Sequence, residues 1–132
     1  TMATAEVVAF NESIKCMNSI GIDNLVKHER ELPNYALVKL KTINPVNVIG
    51  NPKNKAGVIS FTIKGGHPHD IATILDEDAV AIRAGHHCCQ ILHEKLKINA
   101  SARASFGVYN TKEDVDIFCK AIENCRKVFD LK

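Results

Sequence analysis

Residues 102–129, ARASFGVYNTKEDVDIFCKAIENCRKVF, pass from strand spacing to helix spacing within one stretch. At its start the side chains alternate, so Ala102, Ala104 and Phe106 share one face while Arg103, Ser105 and Gly107 share the other. From Thr111, a residue suited to capping a helix, Val115, Phe118, Ile122, Cys125 and Phe129 fall at i, i+3, i+7, i+10 and i+14. A strand that leads into an amphipathic helix points to a layered domain of sheet and helix.

The preceding sequence supplies matching pieces. Val7, Phe10, Ile14 and Met17 recur at helical spacing from Ala5 to Ile20, with Gly21 as the stop. A second helix, capped by Asp23, carries Leu25, Val26, Leu32, Ala36, Leu40 and Ile43, and Pro33 is expected to bend or interrupt it. VNVIG and GVISFTI read as a hairpin across the polar NPKNKA, the second strand apolar on both faces. HPHDIATILDED reads as a short helix with Pro68 in its first turn and Ile71, Ile74 and Leu75 on one face. AVAIRA and ARASFGV are predicted strands. The expected fold class is α+β: a small, mainly antiparallel sheet with flanking helices. Residues 1–43 form a helical arm, and residues 46–132 the sheet-and-helix core.

Composition narrows the function classes. A chain of 132 residues is about one domain, and 45% hydrophobic with 24% charged residues is the balance of a soluble globular protein. Seventeen Lys and Arg against fifteen Asp and Glu leave +2, too little and too scattered to argue for nucleic acid or a membrane surface. No apolar run reaches the length of a membrane span, and TMATAEVVAF has neither the charged head nor the cleavage site of a secretory signal, so a cytoplasmic location is expected. Five cysteines are an odd number. Cys16, Cys119 and Cys125 lie in helical patterns and are expected as buried free thiols rather than parts of a disulfide scaffold.

Chemistry concentrates in AVAIRAGHHCCQ, residues 79–90. Histidine and cysteine side by side serve as metal ligands, proton carriers or nucleophiles. In an extended segment His86 and His87, or Cys88 and Cys89, point to opposite sides and do not converge on one ion. His67 and His69 do not complete a zinc spacing either. A nucleophile fits better, because Gly85 permits a tight turn and a thiol beside Arg83 or a protonated histidine gains reactivity. Arg83 shares its face with Ala79 and Ala81, and Arg103 shares its face with Ser105 and Gly107. Small neighbours leave room for an anion at either guanidinium, the competing reading being a surface ion pair. His28 and His93 are expected as exposed helix residues and Cys89 as a small buried side chain.

HPHDIATILDEDAVAIRAGHHCCQ followed by ARASFGVYNTKEDVD closely resembles the C-terminal domain of group II, SUF-type cysteine desulfurases, pyridoxal-phosphate enzymes of the class V aminotransferase group. The similarity runs from about Ala5 to Phe129, and its specific part is R-x-G-H-H-C followed by R-A-S. The resemblance implies that residues 1–132 are the small C-terminal domain of a fold-type I pyridoxal-phosphate enzyme whose large cofactor-binding domain lies outside this chain. It implies Cys88 as the catalytic cysteine, Arg103 as the holder of the substrate carboxylate, Arg83 as an active-site arginine, and His86 and His87 as supporting residues. No residue of this chain is then a cofactor or metal ligand. The implied reaction converts L-cysteine to L-alanine and a persulfide on Cys88, with pyridoxal phosphate as electron sink. The implied partners are a sulfur-acceptor protein of the SUF system, feeding iron–sulfur cluster assembly, and a second subunit in a homodimer; nucleic acid and membrane are not among them. The fragment alone is expected to be inactive.

Two features depart from the family pattern. Ala and a Gln-Pro pair commonly follow the family's cysteine, whereas this chain reads CCQI, and Lys27 precedes His28 where the family's lysine stands in a Ser-x-His-Lys context. Cys89 is read as packing like alanine, the alternative being attack on the neighbouring persulfide to leave a Cys88–Cys89 disulfide. The alternatives to a desulfurase are a selenocysteine lyase, a desulfinase, or a non-enzymatic module binding zinc or a partner protein.

Overall fold

The computed structural model describes residues 2–50, 52–53 and 55–129. Helix α1 (Thr4–Ile20) and helix α2 (Ile22–Leu40) lead into strands β1 (Val46–Ile49) and β2 (Val58–Ile63). Helix α3 (Pro68–Glu77), strand β3 (Arg83–Gly85), helix α4 (Gln90–Leu96), strand β4 (Ser101–Ser105) and helix α5 (Lys112–Val128) follow. The sheet is antiparallel throughout, in the order β1-β2-β4-β3, so the α+β class holds.

Alternation explains why helices cover one face of this sheet. Ile59, Phe61 and Ile63 of β2 and Ala102 and Ala104 of β4 are buried, as is Phe106 just beyond. Register sets small against large, Ala102 opposite Phe61 and Ala104 opposite Ile59, which leaves room for the helices above them. Phe118 of α5 fills that room, its ring edge-on to Phe61 at 5.9 Å and to Phe106 at 6.3 Å. Val115, Ile122 and Cys125 of α5, Ile71 and Leu75 of α3, and Leu32, Ala36, Leu37 and Leu40 of α2 complete the core. Thr111 starts α5 with a capping box: its hydroxyl accepts from Asp114 N at 3.3 Å and the Asp114 carboxylate accepts from Thr111 N at 2.9 Å. Phe106 N donates to Gly57 O at 2.7 Å, and a Cβ at residue 57 would stand 2.6 Å from Phe106 O, so that crossing admits only glycine.

Several expectations are corrected. AVAIRA does not form a strand along its length: Ala79 N and Val80 N donate back to Asp76 O and Leu75 O to close α3, and β3 begins only at Arg83. Strand β2 is buried on one face, not two, with Ser60 and Thr62 half-buried on the other. Pro33 does not interrupt α2; the proline is itself buried, and packing offsets the lost backbone hydrogen bond. Asp23 lies in the first turn of α2 rather than capping it, since Gly21 takes the cap position at φ 90°. Cys16 is exposed on α1, none of whose residues is buried, whereas Cys119 and Cys125 are buried. Burial pushes both of those thiols up to about 11.

Candidate active site

The face of the sheet opposite the core carries the polar half of each strand. Register places Ser60, Arg103 and Arg83 side by side across β2, β4 and β3, with Arg83 directly opposite Arg103. Like charges directly opposed in a sheet are unfavourable unless something compensates them. Among the described residues neither guanidinium pairs with a carboxylate, so the surface ion pair weighed for them is absent. Arg103 Nε is buried and without a partner. An unmade charged hydrogen bond at a buried donor suits an incoming anion, and a carboxylate matches the planar fork.

After β3 the chain does not stay extended. Gly85 has φ 121°, and His87 and Cys88 take left-handed φ of 54° and 63°, while Cys89 N donates to His86 O at 2.9 Å to close a turn. A Cβ at residue 85 would meet no atom within 4 Å, so glycine is required there for its φ alone. Two successive non-glycine residues in this region cost about 1–2 kcal/mol each. The expectation that neighbouring side chains of residues 86–89 point alternately apart fails for this reason. The turn brings Cys88 Sγ, exposed to solvent, to 3.6 Å from Arg83 Nη2.

His87 points inward. Its Nε2 lies 3.0 Å from Ser101 O and, since a carbonyl only accepts, carries the proton and donates. That leaves Nδ1 as a buried acceptor with no partner. Burial holds His87 below the ordinary histidine value of 6.5, against the bond to Ser101 O, and the nearby Arg103, Arg83 and His93 push in the same direction as burial. His86 is exposed, its ring perpendicular to that of His93 at 5.4 Å. Cys89 is half-buried, with Sγ 3.0 Å from His86 O and 3.7 Å from His93 Nδ1.

The fold thus brings Cys88, Arg83 and His87 to the β3 edge of the sheet, with Arg103 on the neighbouring strand. His67 and His69 stack on each other at 5.5 Å at the start of α3, and among the described residues no group of three metal-ligating side chains converges. Two residues escaped the sequence reading as parts of the site. His93 lies on a helix as expected, α4, but is buried rather than exposed, bonded through Nε2 to Ser101 Oγ at 2.9 Å. Alternation in SARAS placed Ser101 on the face of Arg103, the one signal that could have found it. His28 is part-buried, with Nε2 2.9 Å from Asn110 O.

The family model described as aminotransferase class-V matches residues 1–118. A probable cysteine desulfurase from Halalkalibacterium halodurans is 44% identical over 129 residues, 98% of this chain and 32% of that protein. One from Staphylococcus aureus is 42% identical over 130 residues, again 98% and 32%. The chain therefore spans about a third of the length of the curated relatives it matches. Among solved structures, the cysteine desulfurase CsdA (S-sulfonic acid) from Escherichia coli superposes with a TM-score of 0.90 at 27% identity, over 97% of this chain and 32% of that one. The apo cysteine desulfurase from Thermococcus onnurineus NA1 gives 0.81 at 38%, over 86% and 29%.

Proposed function

The chain belongs to the class-V aminotransferase family, and we propose that it is the C-terminal domain of a group II, SUF-type cysteine desulfurase; the helical arm expected over residues 1–43 shortens to α1 and the first half of α2, because Leu32, Ala36, Leu37, Leu40 and Ile43 pack into the core with residues 46–132. The observation that carries this reading is the thiol of Cys88 held 3.6 Å from Arg83 beside the unpaired guanidinium of Arg103. Arg103 binds the carboxylate of L-cysteine through its free donors. Cys88 attacks the sulfur of that substrate: a sulfur–sulfur bond forms at Sγ, the substrate's carbon–sulfur bond breaks, and L-alanine and a Cys88 persulfide result. The positive charge of Arg83 faces the sulfur that must carry negative charge as the attacking thiolate. His87, neutral and donating to Ser101 O, offers its inward Nδ1 as an acceptor at the edge of the same site.

Pyridoxal phosphate supplies the electron sink for such a cleavage. The residues of this chain do not fit as its holding site, because no lysine stands in a Ser-x-His-Lys context and Lys27, the lysine next to a histidine, lies in α2. The donors at the site suit a carboxylate and a sulfur atom. The cofactor, a second subunit and the SUF sulfur acceptor accordingly belong to the complete enzyme, which this reading places in the cytoplasm. No helix among the described residues is long and apolar enough to cross a membrane.

The test is to incubate the full-length protein with L-cysteine and map its peptides by mass spectrometry. One added sulfur atom on the Cys88 peptide, with alanine released, is expected. In Cys88→Ala the persulfide should vanish while the cofactor's colour stays. Sulfide or alanine production that survives Cys88→Ala would overturn the assignment.

A further inference from the structure

Among the described residues two polar side chains are buried, His93 at 4% and Ser101 at 1% exposure, and they hydrogen-bond to each other at 2.9 Å. Each residue also holds the turn that carries Cys88, Ser101 through its backbone carbonyl and His93 through its ring, one on each side of it. On the near side Ser101 O accepts from His87 Nε2 at 3.0 Å. On the far side His93 Nδ1 stands 3.1 Å from Cys89 O and, facing a carbonyl, donates to it. In the neutral ring Nε2 is then the acceptor, and the Ser101 hydroxyl donates to it. The His93 ring lies against the His86 and His87 rings at 5.4 and 6.0 Å, and Cys89 Sγ closes the turn on His86 O. Ser101 belongs to β4, two residues from Arg103 and on the same face.

We propose that Ser101 and His93 are positioning residues for sulfur transfer: by tying residues 87 and 89 to β4 they hold Cys88 Sγ at Arg83 and in fixed relation to Arg103. The proposal rests on the desulfurase reading above for its reaction, though not for its geometry. Left-handed backbone at His87 and Cys88 persists only where the surroundings impose it, and the carbonyl, hydroxyl and imidazole contacts of this pair are those surroundings. Once the hydroxyl or the imidazole is removed, the turn loosens toward ordinary φ and lets the sulfur move away from the guanidinium. Arg103 is held by sheet pairing on both sides, so substrate affinity is set by other contacts.

The experiment uses the full-length, cofactor-loaded enzyme. His93→Phe, which removes the tie to Cys89 O, should lower kcat for persulfide formation by roughly ten- to a hundredfold, the loss expected when a reacting atom is misplaced by about an ångström. Ser101→Ala keeps the carbonyl that holds His87 and loses only the hydroxyl that orients His93, so it should lower kcat by a smaller factor, roughly three- to tenfold. KM for L-cysteine should stay within about twofold, as it does when only transition-state contacts are lost. Ser101→Thr, which keeps the hydroxyl, should restore kcat. Unchanged kcat in Ser101→Ala, or a loss that Ser101→Thr does not repair, overturns the clamp. If His93→Phe does not fold, the Ala and Thr variants of Ser101 decide alone. A full-length protein that never turns over cysteine would sink the desulfurase reading instead. The clamp is then read from the alkylation rate of Cys88 by iodoacetamide, mapped by peptide. That rate should fall roughly threefold or more in His93→Phe and by a smaller factor in Ser101→Ala, but not in Ser101→Thr, because the thiol leaves its cation. Equal rates in all variants would overturn the proposal.

Discussion

Arg83 Nη2 and Cys88 Sγ meet at 3.6 Å although β3 ends between them, because Gly85, His87 and Cys88 all take positive φ and fold the chain back on itself. The contact pairs the site's exposed sulfur with the nearer of two guanidiniums that have no carboxylate partner among the described residues. In the full-length enzyme Arg83→Ala should slow persulfide formation by roughly tenfold or more and leave the KM for cysteine nearly unchanged, as loss of an electrostatic contact to the attacking group does. Arg83→Lys should recover part of the rate, since an ammonium supplies the charge without the fork. Rapid-quench sampling of the Cys88 persulfide checks both.

Arg103 offers a buried Nε without a partner. Arg103→Ala should raise the KM for cysteine by roughly ten- to a hundredfold, the loss of a charged hydrogen bond being about 1.5–3 kcal/mol. Cofactor absorbance should not change. Steady-state kinetics and a spectrum of the same sample make the comparison.

His87 is held below the ordinary histidine value of 6.5, chiefly by burial. Above pH 6.5 the folded and unfolded states are both neutral at this residue, and its contribution to stability is complete. As the pH falls below 6.5 the unfolded chain takes up the proton first, so stability is lost progressively down to the lowered folded value. His87→Gln should flatten that part of the curve. Urea denaturation of both proteins at a series of pH values on either side of 6.5 measures the difference.

The isolated chain should fold yet take up no stoichiometric pyridoxal phosphate, because it has no Ser-x-His-Lys lysine. Titration with the cofactor, followed by its absorbance after gel filtration, is the check, and a retained cofactor would place its holding group inside this domain.

The capping box of α5 should make Thr111→Ala destabilising by about 1 kcal/mol, the usual value of a lost side-chain cap. Thr111→Ser should cost far less. Both follow from urea denaturation midpoints at constant slope.

The sequence by itself determined the elements whose period is local and strong. Helix α5 follows from the stripe of Val115, Phe118, Ile122 and Cys125, the short α3 from Pro68 and its apolar face, and the hairpin from two apolar runs around a polar turn. It also drew attention to the His–Cys cluster and the two arginines by residue type, and the family resemblance narrowed these to Cys88, Arg83 and Arg103. The arrangement of that chemistry came only from tertiary structure. Inserting β4 between β2 and β3 sets Arg103 opposite Arg83, a register that depends on pairing between distant segments. The same holds for the turn at His87 and Cys88: nothing in HHCC specifies left-handed φ, and the backbone adopts it where Ser101 and His93, fourteen and six residues after His87, hold it from both sides. Local periodicity reports which face a residue takes. Burial of a histidine, or the meeting of a sulfur and a guanidinium, is decided by contacts between elements that periodicity does not encode.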